Sequence, residues 1–548
     1  MENVVETGCV VQPIEKKHNL KALWETLFYV FLFVVAVICF YLFKPLFERG
    51  GEYPIRRGVI AQSIGVVSLI VVLIAFIVLA YFKKITTNKT LFFIVLVGFI
   101  LRLTYVLYSP ASSRQHDTFT GGKDGHFDYA WIIYSQGKLP STNVYQFYHP
   151  PLNAFIQSGF MYLSNLFVRV FNVDITRYLF GKPNYLTDNQ YFLYQTCQLL
   201  SLFYSFIAGV FSIKILKLFN LKGVSLVVSS IFVMLYPRTI QFAGQLNNDG
   251  LSFMLAILSL YFAVRWYNLG KKFIDIILCA NFLGLGMCAK LSIATVALPI
   301  AGIFVIEFIS TIKKTENSLK FKQMALQYYV FLMICASLGL WFQLYAKIRF
   351  NQEFGYVFEG LTDKLLKDDK TLWQRFGLTL DYKEWFGSIF CNPFRNYNLF
   401  VYLVKCSIFG EFSYWQGEAF GILAVAFAFT GIAFLIFTSF YYIVTNLKEG
   451  NLKKKIKSSK LKDLIFIFLL IVSQIGSEIY FYIKMPYGCT MDFRYVMPLI
   501  LGIGLFLGIM LSKINSYNTK LSKSVSLVIY ILLSFMIASS SIFYLVCI

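Results

Sequence analysis

The sequence predicts an all-α polytopic membrane protein of about thirteen transmembrane helices, and three observations carry that prediction. Of its 548 residues, 57% are hydrophobic and only 14% are charged, against about 25% charged in a soluble domain. Apolar runs of roughly 18–25 residues, long enough to cross a bilayer, recur along the whole chain. The lysines gather in short segments between alternate runs, which is the positive-inside pattern. The net charge of +22 therefore reads as membrane topology, and nucleic acid is not an expected partner.

The spans fall at roughly 24–44, 58–81, 91–108, 190–216, 224–241, 250–267, 273–289, 291–310, 325–345, 419–444, 464–484, 494–512 and 523–546. The first follows Lys16, Lys17 and Lys21 and runs to Phe43 without a small-residue cleavage site, so it reads as a retained helix rather than a signal peptide. With a cytoplasmic N-terminus, every basic cluster lands inside: Lys83 to Lys89, Lys214 to Lys222, Lys271 and Lys272, Lys313 to Lys322, Lys448 to Lys462, and Lys513 to Lys523. The segments 109–189 and 346–418 then face outward, with the tips near Asn247, Lys290 and Asp492. Four parts follow: a tail with two added helices (1–90), a central module (91–345) that contains the first outer loop (109–189), an aromatic-rich outer loop (346–418) and the C-terminal helices (419–548).

The first outer loop is expected to be structured. GHFDYAWIIYSQG, from Gly125 to Gly137, reads as a short helix ended by glycine. Residues 151–170 begin after Pro150 and Pro151, and Asn153, Gln157, Ser158, Ser164 and Asn165 interrupt their apolar run. They suit an amphipathic helix in the interface better than a further span, which would break the charge alternation.

That loop also holds three of the chain's four histidines, His116, His126 and His149, with Asp117, Asp124 and Asp128. Ionisable groups gathered at a membrane helix end are costly to keep there and mark a functional site. Asp117, nearest the helix end, suits a general base whose pKa partial burial would raise. The structural alternative for Asp117 is a turn; Asp124 could cap the short helix, and Asp128 could share a face with it. His116, Asp117 and His126 could instead hold a divalent cation, the less favoured reading because no metal-ligand spacing is present. Ten cysteines lack such spacing too and mostly fill apolar runs; Cys391 and Cys489 both fall in outer loops, which leaves a disulfide open.

Arg238, Lys290, Lys405 and Arg494 each end an apolar run on the outer side, where they could grip a phosphate or simply snorkel to the interface. Asn247, Asn248 and Asp249 could hold sugar hydroxyls, although helix capping is the stronger reading for Asp249.

In this order and on this topology, HD at His116 and Asp117, DGHFDYA, GKLP ending at Pro140, YHPPL at Tyr148 to Leu152, NND at Asn247 to Asp249, AKLS around Lys290, KCSIFGEF from Lys405 to Phe412 and CTMDFRYVMP from Cys489 to Pro498 resemble the GT-C glycosyltransferases. The likeness is to the branch of protein O-mannosyltransferases and aminoarabinose transferases and covers most of the chain from Leu91 onward. It implies a polyprenyl-phosphate-linked sugar donor (dolichyl or undecaprenyl), a lipid, protein or glycan acceptor, and chemistry on the extracytoplasmic face of a plasma or endoplasmic-reticulum membrane; no cofactor is assigned beyond the divalent cation named above as the less favoured reading. It further implies Asp117 as catalytic base, Asp124, Asp128, His116 and His126 around it, and His149, Arg238, Asn247, Asn248, Asp249, Lys290, Lys405, Glu411 and Arg494 around the donor. The acidic pair of the better-known branches reads Asp-Glu; this chain has Asp117-Thr118 and Asp124-Gly125, so both aspartates stay candidates. A polysaccharide polymerase or ligase, and a transporter or lipid flippase, are the competing classes.

Overall fold

A computed structural model describes residues 13–47, 55–111, 125–142, 146–179, 182–314, 318–355, 363–411, 418–448, 460–516 and 520–546. Among them the secondary structure is helical, with no strand. In chain order the helices are α1 (Pro13–Phe43), α2 (Ile55–Tyr81), α3 (Thr87–Tyr108), α4 (His126–Gln136), α5 (Leu152–Phe171), α6 (Asp188–Thr196) and α7 (Gln198–Leu218). Then come α8 (Gly223–Leu235), α9 (Pro237–Gln241), α10 (Asp249–Asn268), α11 (Phe273–Ala289), α12 (Ala297–Lys314) and α13 (Ser318–Phe350). The chain ends with α14 (Leu372–Phe376), α15 (Tyr382–Phe386), α16 (Leu399–Phe409), α17 (Glu418–Lys448), α18 (Lys460–Lys484), α19 (Leu499–Ser516) and α20 (Lys520–Val546).

All thirteen expected spans are helical, and 11 of them are long and apolar enough to cross a membrane. The protein is an all-α, multi-pass integral membrane protein. Two spans depart from the ideal. Pro237 has no N–H to continue α8, and the chain bends by 44° between Gly223–Leu235 and Pro237–Gly244. Helix α11, at 17 residues, is about 26 Å long, short of a hydrocarbon core of about 30 Å.

Helices α7 and α10 are the most enclosed and pack on each other, with α11 beside α10 and α13 beside α11. Helix α2 lies at the edge, packed on α3 and touching α20. Deep in α3, Arg102 is fully buried and donates to Ser205 Oγ (2.8 Å), Gly98 O (2.9 Å), Met234 O (3.0 Å) and Thr239 Oγ1 (2.9 Å). It ties α3 to α7 and to the bend after α8, and such saturation is what a charge needs at that depth.

The two short helices of the first outer loop form as expected. Helix α4 starts where Asp128 Oδ2 accepts the Gly125 N–H at 2.8 Å, and it stops at Gly137, whose φ of 64° lies in the left-handed region that favours glycine. Helix α5 follows Pro151 and turns Asn153, Ala154, Gln157, Ser158, Met161 and Ser164 inward, while Tyr162, Leu163, Leu166 and Val170 face out. Its apolar outward stripe explains why it resembles a span without being one.

The bundle has two chemically different ends. At one, Lys214 pairs with Glu25 at 3.1 Å, and Glu307 takes both Lys271 and Lys462. The first joins α7 to α1; the others join the turn after α10 and the end of α12 to the start of α18. The other end gathers the polar segments described next.

Candidate functional site

Eight separate stretches bring ionisable side chains to that second end. His126 opens α4 and His149 precedes the Pro150–Pro151 start of α5; their rings stand 4.9 Å apart. Burial, with the positive charges of His126, Lys290 and Arg494 around it, holds the His149 pKa well below the usual histidine value. His149 is thus neutral at physiological pH and can accept a hydrogen bond. Its company also fixes the geography: the first outer loop, the end of α11 and the segment before α19 share one neighbourhood.

Lys290 leaves α11 in an extended conformation and forms an ion pair with Asp249, at the first turn of α10. Its ammonium lies 4.5 Å from the Tyr495 ring centroid, and Arg494 Nη2 donates to the Tyr495 hydroxyl at 3.1 Å. Burial, with Arg494 nearby, lowers the Lys290 pKa, and Asp249 opposes that shift. The helix start is closed by Asn247, whose Oδ1 accepts the Asp249 N–H at 3.2 Å. This corrects the capping reading of Asp249, whose carboxylate is engaged by Lys290 instead. Asn248 Nδ2 donates to Ala289 O at 3.2 Å, and Gln157 Nε2 to Leu246 O at 2.7 Å, so the NND tip is stitched to α11 and α5.

Arg238 and Asp492 form the second centre. Arg238 Nη2 meets both oxygens of Asp492, at 2.7 and 3.0 Å, and both residues are buried. Asp492 also accepts from the Arg494 backbone N–H (2.9 Å) and the Cys406 thiol (2.9 Å), and Arg494 Nε approaches its other oxygen at 3.4 Å. Burial alone would raise the Asp492 pKa; Arg238 and Arg494 overcome that and lower it. Beside it Glu411 accepts from the Tyr402 hydroxyl at 2.7 Å, and burial with the Asp492 charge pushes its pKa up to about 8.

Of the residues chosen from sequence, His126, His149, Arg238, Asn247, Asn248, Asp249, Lys290, Glu411 and Arg494 come together here. Lys405 does not face them: it is fully buried and donates to the Glu384 and Ser388 carbonyls, the latter at 2.8 Å. Asp128 closes the first turn of α4. His116, Asp117 and Asp124 lie outside the described residues. Among the described residues no group of three or more histidine, cysteine, aspartate or glutamate side chains could hold a metal ion. No disulfide joins Cys391 to Cys489: the Cys391 thiol is buried and points at Tyr402 O, 3.5 Å away.

Two acidic residues were missed. Asp492 enters the sequence reading only as a loop tip and inside CTMDFRYVMP, without a role; its signal is the Asp-Phe-Arg spacing, which returns an arginine onto its carboxylate. Glu478 lies in α18, fully buried, with Oε1 lacking a hydrogen-bond partner among the described residues, in the field of Asp492, Lys290 and Arg494. An acid inside an apolar run was the available sign. Together these buried groups form a rim in which three cations, Lys290, Arg238 and Arg494, share two carboxylates, Asp249 and Asp492, an excess of positive charge suited to an anion delivered from the membrane. Compared with protein-family models and with curated proteins, the chain matches none.

Proposed function

We propose that this protein is a membrane glycosyltransferase that moves a sugar from a polyprenyl-phosphate carrier to a hydroxyl acceptor on the non-cytoplasmic face. One observation carries the reading: Lys290, Arg494, Arg238 and His149, distant in sequence, meet at a single end of the bundle beside the first outer loop. Phosphate is a good leaving group, so such a site needs cations for the departing oxygen more than a strong acid. Lys290 and Arg494 supply them, and Arg238 holds Asp492 so that Arg494 is aimed. Asn247 and Asn248 hold the tip that carries Asp249, and Asp249 holds Lys290.

The reaction transfers one bond. The acceptor hydroxyl gives its proton to an aspartate of the first outer loop, its oxygen bonds to the anomeric carbon, and the sugar–phosphate bond breaks with inversion. Asp117 is the favoured base and Asp124 the alternative; Asp128, engaged in closing α4, positions His126.

Vesicles carrying the full chain and radiolabelled polyprenyl-phosphate sugars test this. Asp117→Asn should abolish transfer at unchanged expression, and Lys290→Met should weaken it. Full activity in Asp117→Asn moves the base to Asp124. Transfer of an assembled glycan but not of single sugars replaces the reading with a polymerase or ligase. Passage of the lipid without any new bond replaces it with a flippase.

A further inference from the structure

The outer loop around α14 and α15 carries a surface that the proposed chemistry does not use. Between Leu372 and Phe386 (LWQRFGLTLDYKEWF) six large apolar side chains are turned outward: Leu372, Trp373, Leu378, Leu380, Tyr382 and Phe386. Leu378 is 91% exposed and Leu380 98%, as bare as a side chain can be. A water-facing loop would not ordinarily present so dense an apolar face.

The backbone of this segment is arranged in an equally unusual way. Asn398 Nδ2 donates to the carbonyls of Gln374 and Gly377, both at 2.9 Å, and the Trp385 indole donates to Thr379 O at 2.8 Å. The buried Lys405 ammonium takes the carbonyls of Glu384 and Ser388. In return, the buried Glu384 carboxylate accepts the backbone N–H groups of Tyr397 (3.3 Å) and Asn398 (3.1 Å). Loops in water leave such groups to the solvent. Loops at membrane depth must satisfy them from within the protein, and here a lysine, a glutamate, an asparagine and a tryptophan do so.

Position completes the argument. The Trp385 ring meets Phe429 of α17 at 3.9 Å between centroids. Phe429 lies three turns inside the Glu418 end of its helix, about 16 Å along the axis at 1.5 Å per residue. That places α15 beside the span itself, on a helix whose Phe420, Ile422 and Leu423 are themselves exposed. On the other flank, Arg375 stacks 4.3 Å from the Tyr482 ring centroid and donates to Tyr482 O, fastening α14 to the end of α18.

We propose that residues 372–386 are inserted in the bilayer, in the leaflet on the side of the polar site, with lipid covering Leu378 and Leu380. Asp381 and Lys383 stay at headgroup level, and Trp373 and Tyr382 fit the interfacial zone where such rings concentrate. The insertion is independent of what the site does.

The experiment uses the full chain in phosphatidylcholine nanodiscs, with Leu380→Cys carrying an environment-sensitive fluorophore and the identically treated parent chain as the blank. Because Leu380 touches almost nothing, its replacement leaves the fold intact; Leu378→Cys repeats the measurement. The proposal expects blue-shifted emission, quenching by nitroxide-labelled lipid and little quenching by iodide. Quenching by iodide alone places the segment in water and overturns the proposal. Protection from both quenchers means that protein covers it, which overturns the proposal equally.

Discussion

Asp492 concentrates the electrostatics of the site in one carboxylate, because it answers Arg238 and Arg494 together. Removing one partner of a buried ion pair costs about 3–5 kcal/mol, since the other charge is left uncompensated. Asp492→Asn should therefore lower thermal stability in detergent by much more than the equally polar change Asp249→Asn, whose lysine partner is less enclosed. Glu411 supplies a pH test. Its pKa in the fold is about 8, above the ordinary glutamate value, because of burial first and the Asp492 charge second. The folded protein thus holds this proton more tightly than the unfolded chain. Its contribution to stability is complete below the ordinary glutamate pKa and lost as pH rises toward about 8. Glu411→Gln should flatten that part of a melting-temperature profile; an unchanged slope would mean that Glu411 is already ionised. Position at the outer ends of apolar runs made Lys290, Arg494 and Arg238 legible in the sequence. The same signal misassigned Lys405, because an ammonium donates as readily to loop carbonyls as to a phosphate. Glu478 escaped because one carboxyl barely alters the hydropathy of its run.

At the level of elements, most of what the sequence announces is local. Gly137 and Asp128 define α4, Pro150 and Pro151 precede α5, and Pro237 bends the fifth span, each through backbone chemistry visible in a few letters. Contacts between elements were not legible, and the turn after α16 illustrates why. Gly410 has φ 68° and ψ −162°, a region open essentially to glycine alone. A Cβ there would collide with the Arg238 guanidinium and the Gln241 amide. Nothing in KCSIFGEF names Arg238 as the neighbour, since the two lie far apart in the chain. Gly410→Ala should cost about 1–3 kcal/mol from backbone strain. It should also push Arg238 off Asp492, so transfer activity should fall together with the melting temperature. Retained activity with only a lower melting temperature would show that the Arg238–Asp492 pair is structural and does not aim Arg494.

Across the whole molecule, sidedness is the organising property. The ends of α7, α10 and α12 and the start of α18 carry lysine–glutamate pairs, whereas the first outer loop, the NND tip, Lys290 and Arg494 occupy the opposite end. A count of basic residues in alternate loops anticipated that division without any knowledge of packing, because it depends only on which end of each span is charged. The same count assigns the lysine end to the cytoplasm. Tyr185, between α5 and α6, and Leu269, in the turn after α10, are both exposed and sit at opposite ends. A membrane-impermeant maleimide applied to intact cells should label Tyr185→Cys and leave Leu269→Cys unlabelled until the membrane is opened. The parent chain, with its own cysteines, provides the background. The reverse pattern would put the polar site in the cytoplasm, where a sugar could come from a soluble nucleotide donor, and a lipid-linked donor would lose its rationale.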